Sequence, residues 1–509
     1  MGSEGYFLNQ FIVTRTNQRD DDWGGSYDNR TRLAIEVVKR VSAAVGEEFI
    51  IIYRLSMLDL VPEGSNLDEV IHLGKAIEEA GATIINTGIG WHEARIPTIA
   101  TKVPRAAFTW VTHTVRKHLT VPVITSNRIN TPEVAESVLA NGDADLISMA
   151  RPFLADPEFV NKAAAGTPER INTCIGCNQA CLDHVFSGKP SSCLVNPRAC
   201  EETRIIIEPT KAKKTIAIVG AGPAGMACAV TAAERGHSVT LYDASNELGG
   251  QFNIAKRIPG KEEFFETIRY FGVRLKELNV DVQLNTRLTT QQLNDMQVDE
   301  LVLATGISPR DLELPGHNHS KVLNYLDVIN GAKVGQKVAI IGAGGIGFDV
   351  AEFLTHGERE PSTSIEQFMS QWGIDMTMQA RGGVADMPQN IEASPREVYL
   401  LQRKASKVGA GLGKTTGWIH RAGLQQKQVK MIAGCEYQAI DDQGLHITIA
   451  GESQILDVDH IIVCAGQDPN QRLCNGLERE HHLIGGADKA TQLDAKRAIR
   501  QGTLLAIKL

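Results

Sequence analysis

No run of apolar residues in this 509-residue sequence reaches the length of a membrane span. Its first residues also lack the basic-then-apolar pattern of a secretory leader. There is no basic block either. Lys and Arg number 52 against 60 Asp and Glu, a net charge of -8, so nucleic acid and a membrane surface both fit poorly as partners. Together these absences point to a cytoplasmic protein. Cysteine is sparse, nine in all, yet five of the nine crowd into Asn172–Cys200, NTCIGCNQACLDHVFSGKPSSCLVNPRAC. In a reducing compartment that crowding argues for metal rather than disulfides. Cys228, Cys435, Cys464 and Cys474 are scattered, as small core residues are.

From Arg30 to about Ala165, helical and strand patterns alternate with short links. TRLAIEVVKRVSAAV precedes FIIIYRLS, LDEVIHLGKAIEEAG precedes ATIINTGIG, and two more pairs end in VPVITSN and ADLISMA. The strands are almost wholly apolar, as parallel strands covered on both faces must be. Four such units fit either an open doubly wound sheet or part of a (βα)8 barrel. Arg128 and Arg151 each stand just past a strand end, in SNRIN and MARPF, where a barrel commonly binds phosphate, and this favours the barrel. A complete barrel takes about 250 residues. The sequence supplies only four units, so we expect a longer gene product or a second chain to complete it, the former being preferred.

Two glycine-rich fingerprints follow. KKTIAIVGAGPAGMACAVTAAERGHSVTLYDAS reads as strand, turn, helix and second strand, with Gly220, Gly222 and Gly225 in the turn. Asp243 at the second strand's tip would receive a ribose hydroxyl. KVAIIGAGGIGFDVAEFLTHG repeats the pattern with Gly342, Gly344 and Gly347. A polar insertion, roughly His356 to Ser394, separates it from the strand EVYLLQRKA, which ends in Arg403 and Lys404 rather than an acid. A basic pair attracts a 2'-phosphate, so NADPH is expected over NADH. One flavin and one nicotinamide would then face each other for hydride transfer. LVLATGIS and IIVCAGQDPN mark crossovers between the two nucleotide domains, and the tail HLIGGADKATQLDAKRAIRQG a return to the first, with Asp488 beside the flavin.

The spacing Cys174-x2-Cys177-x3-Cys181-x11-Cys193 is compact and lopsided. Structural zinc more often uses two separated pairs, so a 4Fe-4S cluster is the preferred reading and zinc the competing one; Cys200 stands outside the pattern.

These strings, with RTNQR, GIGWHEARIPTIAT, SMARPFLADP, GGQFNIAKRIPGKEEF, LQRKASK and GLGKTTGWIHR, carry a resemblance that covers essentially all 509 residues. The chain resembles the bacterial NADPH-dependent 2,4-dienoyl-CoA reductases, related to Old Yellow Enzyme and trimethylamine dehydrogenase. The resemblance implies an α/β fold: half of a (βα)8 barrel for FMN and substrate over 1–168, and a cluster segment and linker over 169–210. An FAD domain over 211–305 plus 466–509 and an NADPH domain over 306–465 would follow. It implies reduction of a 2,4-dienoyl-CoA to an enoyl-CoA during β-oxidation, with electrons passing from NADPH to FAD, 4Fe-4S and FMN and then to substrate. Tyr6 would be the proton donor and His92 its partner, with Arg15 and His92, Glu93, Ala94 and Arg95 at the substrate. Arg54, Arg128, Ala150 and Arg151 would contact FMN; Ala224, Asp243, Gln251, Arg257 and Leu288 would contact FAD. A related enoate or enone reductase is the alternative enzyme. A remnant with NADPH-diaphorase activity or none is the alternative from another class.

Overall fold

The computed structural model describes residues 2–491 and 494–509. The chain forms two compact units, Met1–Ala150 with Arg359–Glu392, and Arg151–Glu358 with Ala393–Leu509.

The first unit is built round four parallel strands, β1 (Ile52–Leu58), β2 (Ile84–Ile89), β3 (Val123–Thr125) and β4 (Leu146–Ile147), bonded in the order β1-β2-β3-β4. An order that follows the sequence without reversal is that of a barrel arc; a doubly wound sheet turns back at a switch point. Side chains alternate along each strand, and that alternation separates the two faces. Leu55, Met57, Ile85 and Thr87 are buried, and Thr87 Oγ1 lies 2.9 Å from Thr112 Oγ1 on the helix Thr109–Arg116, so this face carries the helices. Arg54, Ser56 and Asn86 take the opposite face. The helix Leu67–Glu79 opens on a capping box, Asn66 and Glu69 each satisfying the other's backbone N–H. Thr131 caps Pro132–Ala140, whose proline sits where no N–H is needed. On the helix Tyr27–Val45, Val37, Val41 and Val45 recur every fourth residue and stay exposed, as do Phe49, Ile50 and Ile52 after it.

The insertion between the second glycine-rich helix and EVYLL differs from its reading as simply polar. Its residues 359–392 belong to the first unit. Ser364 caps a helix, Ile365–Trp372, which ends at Gly373 in the left-handed region (φ 64°). Phe368, Met369 and Trp372 are buried, with Phe368 edge-on to Phe108 at 6.4 Å. Their spacing is that of one helical face, a signal the charged surroundings obscured. Arg381 then reaches Glu69 (3.0 Å), which also holds the buried Arg30 (3.2 Å).

The second unit holds two parallel five-stranded sheets. In the first, β5 (Thr215–Val219), β6 (Ser238–Tyr242), β7 (Asp281–Gln283) and β8 (Glu300–Leu303) join His482–Leu483 in the order β7-β6-β5-β8-(His482–Leu483). The second runs Val322–Asn324, His460–Val463, Lys337–Ile341, Glu397–Leu401, Lys430–Ile432. Each reverses beside its fingerprint strand, the switch point at which such sheets bind nucleotides. The antiparallel pair Ile307–Pro309 and Gln467–Pro469 joins the two connecting segments. The final helix, Ala495–Lys508, returns to the first sheet and packs so closely on Pro223–Glu234 that a Cβ on Gly502 would overlap the Ala224 carbonyl.

Candidate functional site

The segment from Gly2 to Tyr6 meets the carboxyl ends of β1 and β2. A Cβ on Gly5 (φ 81°) would stand 2.9 Å from the Trp91 ring, so only glycine fits there. The next residue on each side is Tyr6 and His92, whose rings lie 5.1 Å apart at 69°. The pair named by the resemblance is thus brought together by tertiary folding across 86 positions of sequence. Burial, then the Glu4 and Glu93 carboxylates, raise the Tyr6 phenol above its ordinary value. Tyr6 remains 49% exposed, so a molecule arriving from outside can reach it. Arg15, Glu93 and Arg95 are exposed and Ala94 is buried.

Glu4 went unnoticed in the sequence. Its Oε1 receives Arg54 Nε (2.9 Å) and Nη2 (2.6 Å), and its carbonyl receives the His92 N–H (3.3 Å). Arg54, expected at FMN, is therefore engaged by Glu4 beside Tyr6 and His92. Arg128 is buried in the left-handed region (φ 58°) directly after Asn127 (φ 73°), with Nε donating to the Val103 carbonyl (2.9 Å). Two consecutive non-glycine residues held there store backbone strain, which clusters at functional sites. Ala150 is exposed.

Arg151 falls in the second unit, where Nη1 donates to Asn178 Oδ1 (2.6 Å) on the wall of a cavity. The same cavity, partly open to solvent, is lined by Cys174, Cys177, Cys181 and Cys193 against Leu154, Ile175 and Leu194. The four expected ligands therefore share one site, and Cys200 is exposed away from that lining. Burial, reinforced by the neighbouring thiols, pushes Cys193 up to about 12 and raises Cys177 and Cys181. Without a cation to replace the protons, these thiols stay neutral. Among the described residues, no three His, Cys, Asp or Glu side chains converge as closely as one metal ion requires.

In the two fingerprints, glycines at matching positions meet matching surroundings. A Cβ on Gly225 would overlap the Gly220 carbonyl, and one on Gly347 the Gly342 carbonyl, so each helix packs on its own turn. Gly220 (φ 113°) and Gly342 (φ 109°) make those turns against Ala304 and Cys464. By contrast, Gly222 has only the Gly250 Cα at 4.0 Å and Gly344 nothing within 4 Å. This middle position is where a pyrophosphate approaches the backbone.

Asp243 lies at the end of β6, Oδ2 accepting the Ala221 N–H (2.6 Å) and Oδ1 that of Ser245 (2.7 Å). Ala224 is buried in the helix beside it and Gln251 is exposed. Arg257 donates to Asn330 (2.8 Å), Asp488 accepts from Gln501 (2.8 Å), and Leu288 packs against the buried Leu293, Leu301 and Leu303. After Glu397–Leu401, Gln402 Nε2 closes a turn on the carbonyls of Lys404 (2.9 Å) and Ser406 (2.7 Å), and Arg403 and Lys404 project into solvent from it.

Residues 1–170 match the NADH:flavin oxidoreductase / NADH oxidase family, and residues 214–494 match the pyridine nucleotide-disulphide oxidoreductases. A metal reductase of Desulforamulus reducens is 34% identical across 100% of this chain and 76% of its own. A cinnamate reductase of Clostridium sporogenes is 31% identical over 70% of this chain and 56% of its own. Among solved structures, a 2-naphthoyl-CoA reductase in complex with 2-naphthoyl-CoA superposes with a TM-score of 0.88 at 29% identity, covering 99% of this chain and 72% of that one. No helix among the described residues is long and apolar enough to cross a membrane. The chain belongs to the pyridine nucleotide-disulphide oxidoreductases, joined to an NADH:flavin oxidoreductase / NADH oxidase segment, and is a flavin- and NAD(P)H-linked oxidoreductase.

Proposed function

We propose that the protein uses NADPH to reduce a carbon–carbon double bond conjugated to a carbonyl, in an enoate, an enone or an acyl-CoA thioester. The observation that carries this reading is the Tyr6–His92 pair, 5.1 Å apart at the carboxyl ends of parallel strands, half-exposed to an incoming molecule. Reduction of such a bond places negative charge on the carbon next to the carbonyl, and that carbon needs a proton. Tyr6 Oη holds one. Its raised pKa keeps it loaded at neutral pH, and His92 orients the ring. Two relatives with conjugated acids or thioesters in their names support the class. The 2,4-dienoyl-CoA suggested by resemblance is one member of it, and the relatives favour the class over that member.

The residues fit the cofactors the reading needs. The fingerprint of Gly220, Gly222 and Gly225 would hold FAD, and that of Gly342, Gly344 and Gly347, with Arg403 and Lys404, would hold NADPH. Cys174, Cys177, Cys181 and Cys193 would hold a 4Fe-4S cluster, their all-thiol donor set spread round a cavity. Arg128 would be the cationic group for an FMN phosphate in the first unit, since the Arg54 guanidinium is held by Glu4. Bound together, these groups supply hydride acceptance from NADPH, single-electron transfer, and hydride donation.

The test is anaerobic turnover of purified protein with NADPH against 2,4-hexadienoyl-CoA, cinnamate and 2-cyclohexenone. NADPH consumption matched by loss of one double bond is the expected result. Consumption with ferricyanide but with none of the three would overturn the reading.

A further inference from the structure

We propose that Asp59 is a positioning residue for the Tyr6–His92 pair, acting through Trp91, and that the Gly382 turn of the insertion holds its loop. This deepens the reading above and rests on it.

Asp59 follows β1 directly and is 1% exposed. Its Oδ1 accepts both Ser56 Oγ–H (2.7 Å) and the Trp91 indole N–H (3.0 Å), and Oδ2 accepts the Ser65 backbone N–H (2.7 Å). Its carbonyl accepts the Trp91 backbone N–H (2.9 Å). One residue thus fixes Trp91 by main chain and ring together. The ring in turn limits Gly5, whose added Cβ would stand 2.9 Å from it. The sequence neighbours of these two contacts are His92 and Tyr6. A carboxylate suits the place because all three donors need acceptors; an asparagine amide would turn an N–H toward one of them. Burying a carboxylate costs desolvation that an apolar residue would avoid, so simple packing gives no reason for it.

The loop from Asp59 to Ser65 is backed by the insertion. Gly382 accepts the Leu60 N–H (2.9 Å) and donates to the Ser65 carbonyl (3.0 Å). A Cβ on Gly64 would stand 2.8 Å from both the Asp59 Cβ and the Gly382 Cα. Gly382 itself has φ 64° and would overlap the Val61 carbonyl if it carried a side chain. The insertion therefore braces the loop that follows Asp59.

The experiment compares wild type, Asp59→Asn, Trp91→Phe, Gly382→Ala and Asp145→Asn as full chains. Asp145→Asn breaks the Arg116–Asp145 ion pair, which touches neither the Asp59 loop nor the insertion, and is the control for a merely structural loss. Three quantities are read: the Trp91 indole N–H resonance, assigned by its loss in Trp91→Phe; the Tyr6 phenol titration, by difference from Tyr6→Phe; and kcat and KM for 2,4-hexadienoyl-CoA or cinnamate. Asp59→Asn should move the resonance and the titration and lower kcat about 10- to 100-fold, as misplacement of a reacting group by ~1 Å does. KM should change less than about threefold, since bound substrate is not touched. Asp145→Asn should lower thermal stability and leave resonance and titration in place. Unmoved Trp91 and Tyr6 signals in Asp59→Asn, or equal effects in Asp145→Asn, would overturn the positioning role. Should Asp59→Asn not fold, Trp91→Phe decides through the Tyr6 titration. An unmoved Trp91 signal in Gly382→Ala would overturn the insertion's part. If wild type reduces no alkene, the functional reading falls, while the two spectroscopic signals still decide the positioning claim.

Discussion

The rings of Tyr6 and His92 stand 5.1 Å apart at 69°, and burial, then the Glu4 and Glu93 carboxylates, raise the phenol's pKa. Because that pKa lies above the ordinary value of 10, the phenol is protonated throughout the neutral range, and its titration cannot produce a falling limb there. Activity should therefore stay flat, as far as Tyr6 governs it, until the pH passes above 10. Tyr6→Phe should keep the fold, since the hydroxyl is half in water, and should lower kcat about 100- to 10,000-fold, the range of general acid catalysis. A pH–rate profile and steady-state kinetics check both statements.

The matched glycines separate binding from folding. Gly222 and Gly344 have room for a methyl group, whereas Gly225 and Gly347 have none. Gly222→Ala should fold normally and lose FAD affinity, because the methyl occupies the pyrophosphate's approach. Gly344→Ala should likewise weaken NADPH binding and spare FAD. Gly225→Ala should instead destabilise the fold by about 1–3 kcal/mol through overpacking. Denaturant titration beside flavin content distinguishes the two behaviours; stability loss in Gly222→Ala would contradict the assignment.

Arg403 and Lys404 stand on a turn that Gln402 closes, both exposed, where strands of this kind meet a ribose. Replacing either by Ala should raise KM for NADPH about tenfold, the lower range for a charged hydrogen bond, because both are solvated. KM for NADH should hardly change, and the NADPH effect should shrink as salt is added. Equal losses for both nucleotides would remove the 2'-phosphate from the account.

Much of this architecture is legible in the residues because it rests on local chemistry. Apolar strands between amphipathic helices announced a parallel sheet, and glycine spacing announced both nucleotide turns. Tyr6 and His92 are singled out by resemblance alone, since nothing local distinguishes either from an ordinary loop residue. What stayed hidden depends on contacts between distant segments. Glu4 gains meaning only beside Arg54, and Asp59 only beside Trp91, 32 positions away. The insertion looked polar because its buried face, Phe368, Met369 and Trp372, occupies two turns amid charged loops. Arg151, grouped with Arg128 by its place after a strand, is drawn to Asn178 by a hydrogen bond no spacing could reveal.

The cysteine cavity offers the clearest chemical discrimination. A mononuclear zinc site draws four sulfurs to about 2.3 Å from one point. Either centre, zinc or 4Fe-4S, would draw on Cys174, Cys177, Cys181 and Cys193, which line one cavity, and burial leaves Cys177, Cys181 and Cys193 protonated until a cation displaces the protons. Protein purified anaerobically should contain iron and acid-labile sulfide in equal amounts, with a broad visible absorbance that dithionite bleaches. Changing any one of the four to Ser should lower both contents together, because serine's harder oxygen holds iron–sulfur clusters less well. Cys200→Ser should change neither, since Cys200 does not line the cavity. Stoichiometric zinc without sulfide, retained in anaerobic preparations, would make the segment a structural clip and take the electron path away from it.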